Sequence, residues 1–560
     1  MSTIIKFINN GVLVGCGGSG SSGSSESGSS GSGSSESGSS GSGQDSSNKI
    51  LDYNSKIYFE GDSLIITIIF SEIIILESGS PFLSLNNEFI LNYEYGSGTK
   101  EFIFKIDNLS FQDNIYDIEL EYFNNDAVLK KGNENFNFTL EKQLINIVLF
   151  KNYSQSTEFN NNQGLVLHKA LFSYQNDNFG EKIKVGVVDS GLDRNHSDFR
   201  AKVIDGQDYG DEKYYITEVG THGSHVGGII SANYDQKNVS KNIHGYSYLS
   251  MLIDFRVFNN SGYWTASNYD MKMLPQKAIE KGTNILNNSW GYVGHYIDGR
   301  KYYREKWSDY NINSFLSNDE VYGYLNQGLQ NSLVNVFASG NDSYTNPGIM
   351  PGLPVIHPQL KDIWICVISC DQDGKEAYYS NRAGIANLWS ITGHGGDYYT
   401  DGGVLSVQSN GSYVKMQGTS MACPTITGGL ALIMNKFLNN LSYPNMTPQL
   451  CIDRLFQTAD YDGLKAGISD SNDILVKEYN RSKFTSYKDA SELTQDQKQK
   501  IFGYGKMNLE EALQDMDSQQ FQDLLDFSDD RDSQIANLSA NFKSTTNKFI
   551  NSVDKERILL

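Results

Sequence analysis

Residues that could together cleave a peptide bond occur in this chain, each within a short segment. Asp189 follows the apolar run 183–188, His222 begins a segment rich in small residues, and Ser420 lies in the sequence Gly-Thr-Ser-Met-Ala-Cys-Pro. In serine catalysis the hydroxyl attacks, an imidazole takes its proton and a carboxylate orients the imidazole. Asn341, shortly after a second apolar run, could donate its side-chain amide to the oxyanion that forms.

Each of these segments by itself has a simpler interpretation. Asp-Ser-Gly after a strand and Gly-Asn-Asp around Asn341 are common turns, and Gly-Thr-Ser-Met-Ala is a common start of a helix. His222 and His225 invite a zinc interpretation, although they lack the spacing and the glutamate of the H-E-x-x-H motif. A zinc peptidase that uses both histidines therefore remains an alternative.

The segments around Asp189, His222, Asn341 and Ser420 resemble the motifs of the subtilisin-like serine proteases, and they occur in the order that this family requires. The resemblance covers 160–515 and implies a serine endopeptidase with an acyl-enzyme intermediate and no cofactor required for the chemistry. It implies that Asp189, His222 and Ser420 form the catalytic triad and that Asn341 belongs to the oxyanion hole. Protein or peptide substrates are the implied partners.

The same resemblance implies a substrate-binding wall and a structural calcium ion. Ser289, Trp290 and Gly291 match the segment that lines one wall of the S1 pocket, although Trp290 is bulkier than the small aliphatic residue usual there. Asp198 stands where many family members have a calcium ligand, and a surface carboxylate beside a turn is the simpler interpretation.

An α/β domain is needed to position these residues. The apolar runs 183–188 and 333–337 indicate buried strands, and 268–281 indicates a helix that ends before Gly282. Strands alternating with helices predict a three-layer, subtilisin-like domain with a central parallel sheet. Functional groups in such folds gather at the carboxyl ends of the strands, where Asp189 is expected.

Residues 48–146 have a different pattern from the α/β domain. Short apolar runs at 64–70, 89–93, 101–105 and 136–140 are separated by turn residues, a spacing that predicts a small all-β sandwich. This part resembles the Ig-like modules of bacterial surface proteins. At the other end, 516–560 is predicted to be a polar helical tail.

The first segments of the chain predict attachment to a membrane. Residues 1–15 end in Leu-Val-Gly before Cys16, which resembles the lipobox of bacterial lipoproteins, where the cysteine is lipidated; a chance cysteine after a weakly apolar segment is the alternative. Residues 16–47 form a Gly/Ser-rich linker in which SSESGSSGSG is repeated, as is typical of a flexible tether. We therefore expect an extracellular or cell-surface protein, an outer-membrane lipoprotein being one form of this.

Composition restricts the partners. The formal net charge of -21 argues against nucleic acid, because such a partner requires a basic surface. Buried free thiols are expected at Cys366, Cys370, Cys423 and Cys451.

The predicted function is hydrolysis of peptide bonds in extracellular proteins. A surface adhesion protein with a vestigial protease domain is the alternative from another class: the tether and the sandwich favour it, and the retained catalytic residues oppose it.

Overall fold

The computed structural model describes only part of the chain, which forms two compact units, Met1–Asn152 and Tyr153–Leu560. Before residue 156 it describes strands alone; thereafter it describes 156–209, 220–234, 242–259, 263–291, 296–297, 300–301, 319–438, 440–468, 474–475, 484 and 486–557. Side chains are described within 156–291 and 321–544 of these ranges.

The first unit is built from antiparallel strands. They pair in the order β1-β3-β4-β7-β6-β5-β8-β11-β2, with β9 joined to β4 and β10. Their bounds are β1 Thr3–Ile5, β2 Ile8–Asn9, β3 Tyr53–Glu60, β4 Ser63–Ser78, β5 Phe82–Leu85, β6 Phe89–Tyr95, β7 Thr99–Ile106, β8 Ile115–Phe123, β9 Val128–Lys131, β10 Glu134–Phe136 and β11 Gln143–Val148.

Three of the four apolar runs predicted in this unit coincide with described strands. The apolar runs 64–70, 89–93 and 101–105 fall within β4, β6 and β7; of 136–140 the structure describes Phe136 alone, which lies in β10. Cys16 and the linker 16–47 lie outside the described residues. The sandwich, the Ig-like resemblance and the domain boundaries stay predictions.

The second unit alternates strands and helices. Its strands are β12 Lys184–Asp189, β13 Val203–Asp208, β14 Met251–Arg256, β15 Ile285–Asn288, β16 Tyr296–Ile297, β17 Arg300–Lys301, β18 Val334–Ala338, β19 Trp364–Cys370, β20 Ser390–His394, β21 Val404–Gln408, β22 Ser412–Met416, β23 Lys465–Ile468 and β24 Ser486–Asp489. Its α-helices are α1 Thr157–Asn161, α2 Gln163–Leu167, α3 Leu171–Gln175, α4 Thr221–Ser231, α5 Asn268–Glu280, α6 Asp319–Gly323, α7 Thr419–Phe437, α8 Pro448–Gln457, α9 Gln495–Phe502, α10 Leu509–Ala512 and α11 Ser518–Arg557.

A seven-stranded sheet forms the centre of the second unit, in the order β13-β14-β12-β15-β18-β19-β20. All neighbouring strands are parallel. Every residue of β19 is buried, as expected of an apolar strand that is covered on both faces of a parallel sheet. The predicted strands 183–188 and 333–337 correspond to β12 and β18, and the predicted helix 268–281 corresponds to α5. The predicted α/β fold with a central parallel sheet is confirmed.

The carboxyl edge of this sheet gathers the predicted site residues. Asp189 is the last residue of β12, Ser289 follows β15, and Asn341 follows β18. Helices α4 and α7 carry His222 and Ser420 in their first turns and pack against each other. Residues that are far apart in the chain therefore meet at one edge, because parallel strands end on the same side of a sheet.

Helix α7 is buried along most of its length and contacts β15, β18, β19 and β20. Small residues allow this close packing: a Cβ atom on Gly428 would lie 2.6 Å from the Cβ of Tyr246. Cys423 and Cys451 lie in α7 and α8, Cys366 and Cys370 in β19, and all four are buried free thiols, as predicted.

Helix α11, the last helix of the second unit, packs onto α8 through a buried ion pair. Arg531 lies 2.7 Å from a carboxylate oxygen of Asp453 in α8, and the Ser528 hydroxyl donates to the same carboxylate over 2.7 Å. The Arg531 guanidinium also lies 5.5 Å from the centre of the Phe456 ring. Of the helices that the structure describes, none combines the length and the apolar character of a membrane span.

Candidate active site

Asp189 and His222, the predicted acid–base pair, are hydrogen-bonded to each other. The His222 Nδ1 lies 2.8 Å and 3.0 Å from the two carboxylate oxygens of Asp189, which is 2% exposed. Helix α4 approaches the end of β12 closely because Gly223 lacks a side chain: a Cβ there would lie 2.5 Å from the Gly191 carbonyl oxygen. The carboxylate favours the tautomer with the proton on Nδ1, so Nε2 is left as the basic nitrogen.

The surroundings of His222 raise the pKa of its imidazole. Burial disfavours the charged ring, but the charge of Asp189 and its hydrogen bond outweigh that effect and raise the pKa of His222 above 6.5. The His222 side chain is 41% exposed, so the ring is accessible from the solvent side. A neutral imidazole whose orientation is fixed by a carboxylate is suited to take a proton from a serine hydroxyl.

Ser420 is held against the end of β15. Its hydroxyl donates to the carbonyl oxygen of Ser289 over 3.1 Å, and the Ser289 hydroxyl donates to the carbonyl oxygen of Ser420 over 2.9 Å. Among the hydrogen bonds of the described side chains, none joins Ser420 to His222. Such catalytic contacts often tighten only when substrate binds.

Asn341, the predicted oxyanion donor, is bonded to the first turn of α7. The Oδ1 of Asn341 accepts hydrogen bonds from the backbone N (2.9 Å) and the hydroxyl (2.8 Å) of Thr419. A Cβ on Gly418 would lie 3.5 Å from the Asn341 Nδ2 and 3.6 Å from the Ser420 N. The Asn341 Oδ1 lies 3.8 Å from the same position, and the role of Asn341 in an oxyanion hole stays a prediction. The sequence prediction missed Thr419, although its place beside Ser420 was an available signal.

In the predicted substrate-binding wall, Trp290 packs against other aromatic rings. Trp290 is 8% exposed, and its ring centre lies 5.0 Å from that of Trp264 and 5.5 Å from that of Phe337. Gly291 is exposed, and a Cβ there would meet no atom within 4 Å. The tryptophan side chain therefore packs inward while the glycine presents its backbone to solvent. Contact of Ser289, Trp290 and Gly291 with substrate stays a prediction.

His225 lies in an environment unlike that of His222. Its Nε2 donates to the carbonyl oxygens of Val404 (3.0 Å) and Val414 (3.1 Å). Burial, with a smaller contribution from His222, lowers the pKa of His225 to about 3. With its proton on Nε2, the lone pair of His225 is on Nδ1, a buried atom without a hydrogen-bond partner among the described residues. Within the part of the chain that the structure describes, no three His, Cys, Asp or Glu residues form a metal-binding group.

Asp198, the predicted calcium ligand, is buried rather than exposed on a surface turn. Its carboxylate accepts hydrogen bonds from Tyr413 (2.9 Å) and Ser197 (3.3 Å). The Tyr413 hydroxyl also contacts the Asn242 Oδ1 over 2.7 Å, and Asn242 donates to Glu158 over 2.8 Å. Carboxylate and amide oxygens are the ligands that calcium takes, so the donor chemistry fits this ion. Calcium binding at Asp198 stays a prediction.

An imidazole bonded to a carboxylate and a serine at the start of a buried helix, both at the carboxyl edge of a parallel sheet, are characteristic of serine peptidases of the subtilisin type. Comparison with known families agrees with this class. Residues 180–505, more than half of the chain, match the model of the subtilase family, peptidase S8. The chain belongs to the subtilase family, as its motifs predicted.

The chain is similar to several bacterial proteases. It is 24% identical over 332 residues to an extracellular serine protease of Serratia marcescens, a match that covers 50% of this chain and 30% of that protein. It is 26% identical over 279 residues to a thermophilic serine proteinase of Bacillus sp. strain AK1, with coverage of 50% and 58%. These matches span less than two thirds of either relative.

Among solved structures, the chain is similar to the prenylagaramide maturation protease PagA, with 20% identity and a TM-score of 0.42 over 62% of this chain and 96% of that chain. A cold-adapted subtilisin-like serine proteinase matches with 19% identity and a TM-score of 0.38, over 51% of this chain and 86% of that chain.

Proposed function

We propose that the chain is a serine endopeptidase that hydrolyses peptide bonds of extracellular proteins through Asp189, His222 and Ser420. The observation that carries the proposal is the Asp189–His222 hydrogen bond of 2.8 Å at the sheet edge where Thr419, the neighbour of Ser420, donates its backbone N–H and its hydroxyl to Asn341. A turn or a helix start has no need of such an arrangement, whereas acyl transfer requires it.

In the proposed reaction, the Ser420 oxygen attacks the carbonyl carbon while His222 takes the hydroxyl proton. The C–N bond breaks as His222 returns this proton to the leaving amine. Water then attacks the acyl-enzyme while His222 takes a proton from it, and His222 returns this proton to Ser420 as the acyl group leaves. Asp189 orients the imidazole and stabilises its charged form, consistent with the raised pKa of His222. The N-terminal end of α7 adds a favourable dipole at the oxyanion.

A fluorophosphonate probe, which labels activated serines, tests the proposal. We expect labelling of the folded protein and loss of labelling in Ser420→Ala. Ser442→Ala is the matched control, because Ser442 is exposed in the loop that follows the opposite end of α7. Unchanged labelling of Ser420→Ala, or no labelling of the folded wild-type protein, contradicts the proposal. The second of these results favours the adhesion protein with a vestigial protease domain.

We further propose that the enzyme acts outside the cell, held at the surface by a lipid on Cys16. The extracellular relative supports the first part, and the lipobox-like segment with its Gly/Ser-rich linker supports the second. Mass spectrometry of the mature N-terminus should find an acylated Cys16, and Cys16→Ser should release the protein from the membrane fraction. An unmodified Met1 in the mature protein contradicts the lipid anchor without affecting the proposed activity.

A further inference from the structure

The loops that follow β19 and β20 carry a group of tyrosines that is hydrogen-bonded to Gln417, three residues before Ser420. We propose that Tyr378, Tyr398 and Tyr399, called here the tyrosine platform, select substrates with an aromatic or long apolar side chain on the leaving-group side of the scissile bond. The inference rests on the proposed peptidase function and extends it to substrate class.

The strand order places the tyrosine platform on the leaving-group side. In the sheet, β15, β18, β19 and β20 are consecutive neighbours. Ser289 follows β15, Asn341 follows β18, Tyr378 follows β19, and Tyr398 and Tyr399 follow β20. A substrate whose acyl side lies on the wall after β15 and whose carbonyl oxygen meets Asn341 therefore continues toward the loops after β19 and β20.

Gln417 connects the tyrosine platform to the nucleophile segment. Its Oε1 accepts a hydrogen bond from the backbone N of Tyr398 over 2.6 Å, and its Nε2 donates to the Tyr378 hydroxyl over 3.1 Å. The next residue, Gly418, donates its N–H to the Gly395 carbonyl oxygen over 3.1 Å. Both loops are thereby attached to the residues that immediately precede Ser420.

The loop after β20 is held in one shape by its own aspartates. Asp397 accepts a hydrogen bond from the Tyr399 N over 2.9 Å, and Asp401 accepts from the Asp397 N (2.7 Å) and the Gly403 N (2.8 Å). His394 at the end of β20 lies 3.1 Å from the second oxygen of Asp401. A loop ordered before binding loses little conformational entropy when a substrate arrives, which strengthens binding.

The rings of the tyrosine platform remain available to a substrate. Tyr398 is 54% exposed and Tyr399 58% exposed, although the loop beneath them is well bonded. The ring centres of Tyr378 and Tyr399 lie 5.2 Å apart with an interplanar angle of 61°. Exposed aromatic faces of this kind bind another aromatic ring or a long apolar chain better than they bind glycine.

Two fluorogenic peptides that differ only in the first leaving-group residue, phenylalanine or glycine, test the inference. We expect wild-type kcat/KM to be about three- to tenfold higher for the phenylalanine peptide, the effect of one aromatic contact. Tyr398→Ala and Tyr399→Ala should bring this ratio close to one. Tyr269→Ala is the matched control, since Tyr269 is 66% exposed in α5, and it should keep the wild-type ratio.

Acyl transfer provides a second measurement that does not depend on the amide bond cleaved. An ester substrate forms the acyl-enzyme, and phenylalanine amide or glycine amide then competes with water for it. Preference for phenylalanine amide in the wild type, lost in Tyr399→Ala, supports the inference. Cleavage of both peptides at equal rates overturns the proposed role of the tyrosine platform and leaves the peptidase function intact. Failure to cleave any peptide or ester contradicts the proposed function itself.

Discussion

Replacing Thr419 by valine should slow catalysis without weakening substrate binding. The Thr419 hydroxyl donates to the Asn341 Oδ1 over 2.8 Å and accepts from the Gly340 N over 3.2 Å. Valine keeps the shape of the side chain and removes both bonds, while the backbone N of residue 419 can still donate to Asn341. The amide thus loses one of the two contacts at its Oδ1, which would orient Nδ2 toward the oxyanion in the proposed mechanism.

The magnitude follows from the value of one hydrogen bond. A net contribution of about 0.5–1.5 kcal/mol corresponds to a fall in kcat of about two- to thirteenfold in Thr419→Val. Asn341→Ala removes the donor itself and should cost about 2.7–4 kcal/mol, a loss of about 100- to 1000-fold. KM should stay near the wild-type value in both variants, because the oxyanion exists only in the transition state and the intermediate.

Steady-state kinetics on one peptide substrate measure these effects, with thermal unfolding as a check that each variant is folded. Thr419→Ser is the matched control, since it retains the hydroxyl that bonds Asn341 and should keep kcat close to wild type. Equal kcat values for the valine and serine variants, or a loss that appears only in KM, would refute the orienting role of Thr419.

Three further predictions concern protonation and backbone geometry. The activity, measured as kcat/KM against pH, should fall below a pKa higher than 6.5, because only neutral His222 can act as the base; Asp189→Asn should lower that pKa. Burial raises the pKa of Asp254 from 3.8 to about 7. The unfolded chain therefore loses this proton at a lower pH than the folded chain, and the stability of the folded state falls as the pH rises from about 4 to 7. The stability of Asp254→Asn relative to wild type, measured by denaturant unfolding, should therefore differ little at pH 4 and be higher by up to about 4 kcal/mol at pH 8, above both pKa values. An equal gain at both pH values would argue against a buried neutral carboxyl. Gly418→Ala should lose about 100-fold or more in kcat, because its Cβ would stand next to both oxyanion donors at a φ of +150°, whereas Gly411→Ala, at a φ of +76° with open space around it, should retain activity.

The catalytic residue types were predictable because each depends on local backbone geometry. An apolar strand followed by Asp-Ser-Gly places the Asp189 side chain at the strand end, and small residues begin the helices that carry His222 and Ser420. The periodicity that indicates strands and helices acts over a few neighbouring residues, so strands β12 and β18 and helix α5 could be predicted to within a residue or two.

The surroundings of these residues were less predictable. Asp198 was expected either as a calcium ligand or as a surface carboxylate, and it lies buried in hydrogen bonds with Tyr413, which follows it much later in the chain. His225 and His222 occupy the same helix, yet one donates to the carbonyl groups of Val404 and Val414 while the other faces Asp189. No local pattern distinguishes them, because the difference comes from elements packed against each face of α4.

The sequence by itself determined the family and the fold class and supplied the candidate residues for acyl transfer, since these depend on short motifs and on local periodicity. Only the tertiary structure decided how the residues are held. It brought Thr419 to Asn341, connected Gln417 to the tyrosine platform and buried Asp254 so that its pKa is raised to about 7. Hydrogen bonding and desolvation depend on atoms that lie close in space, and the parallel sheet brings together residues that the chain keeps far apart.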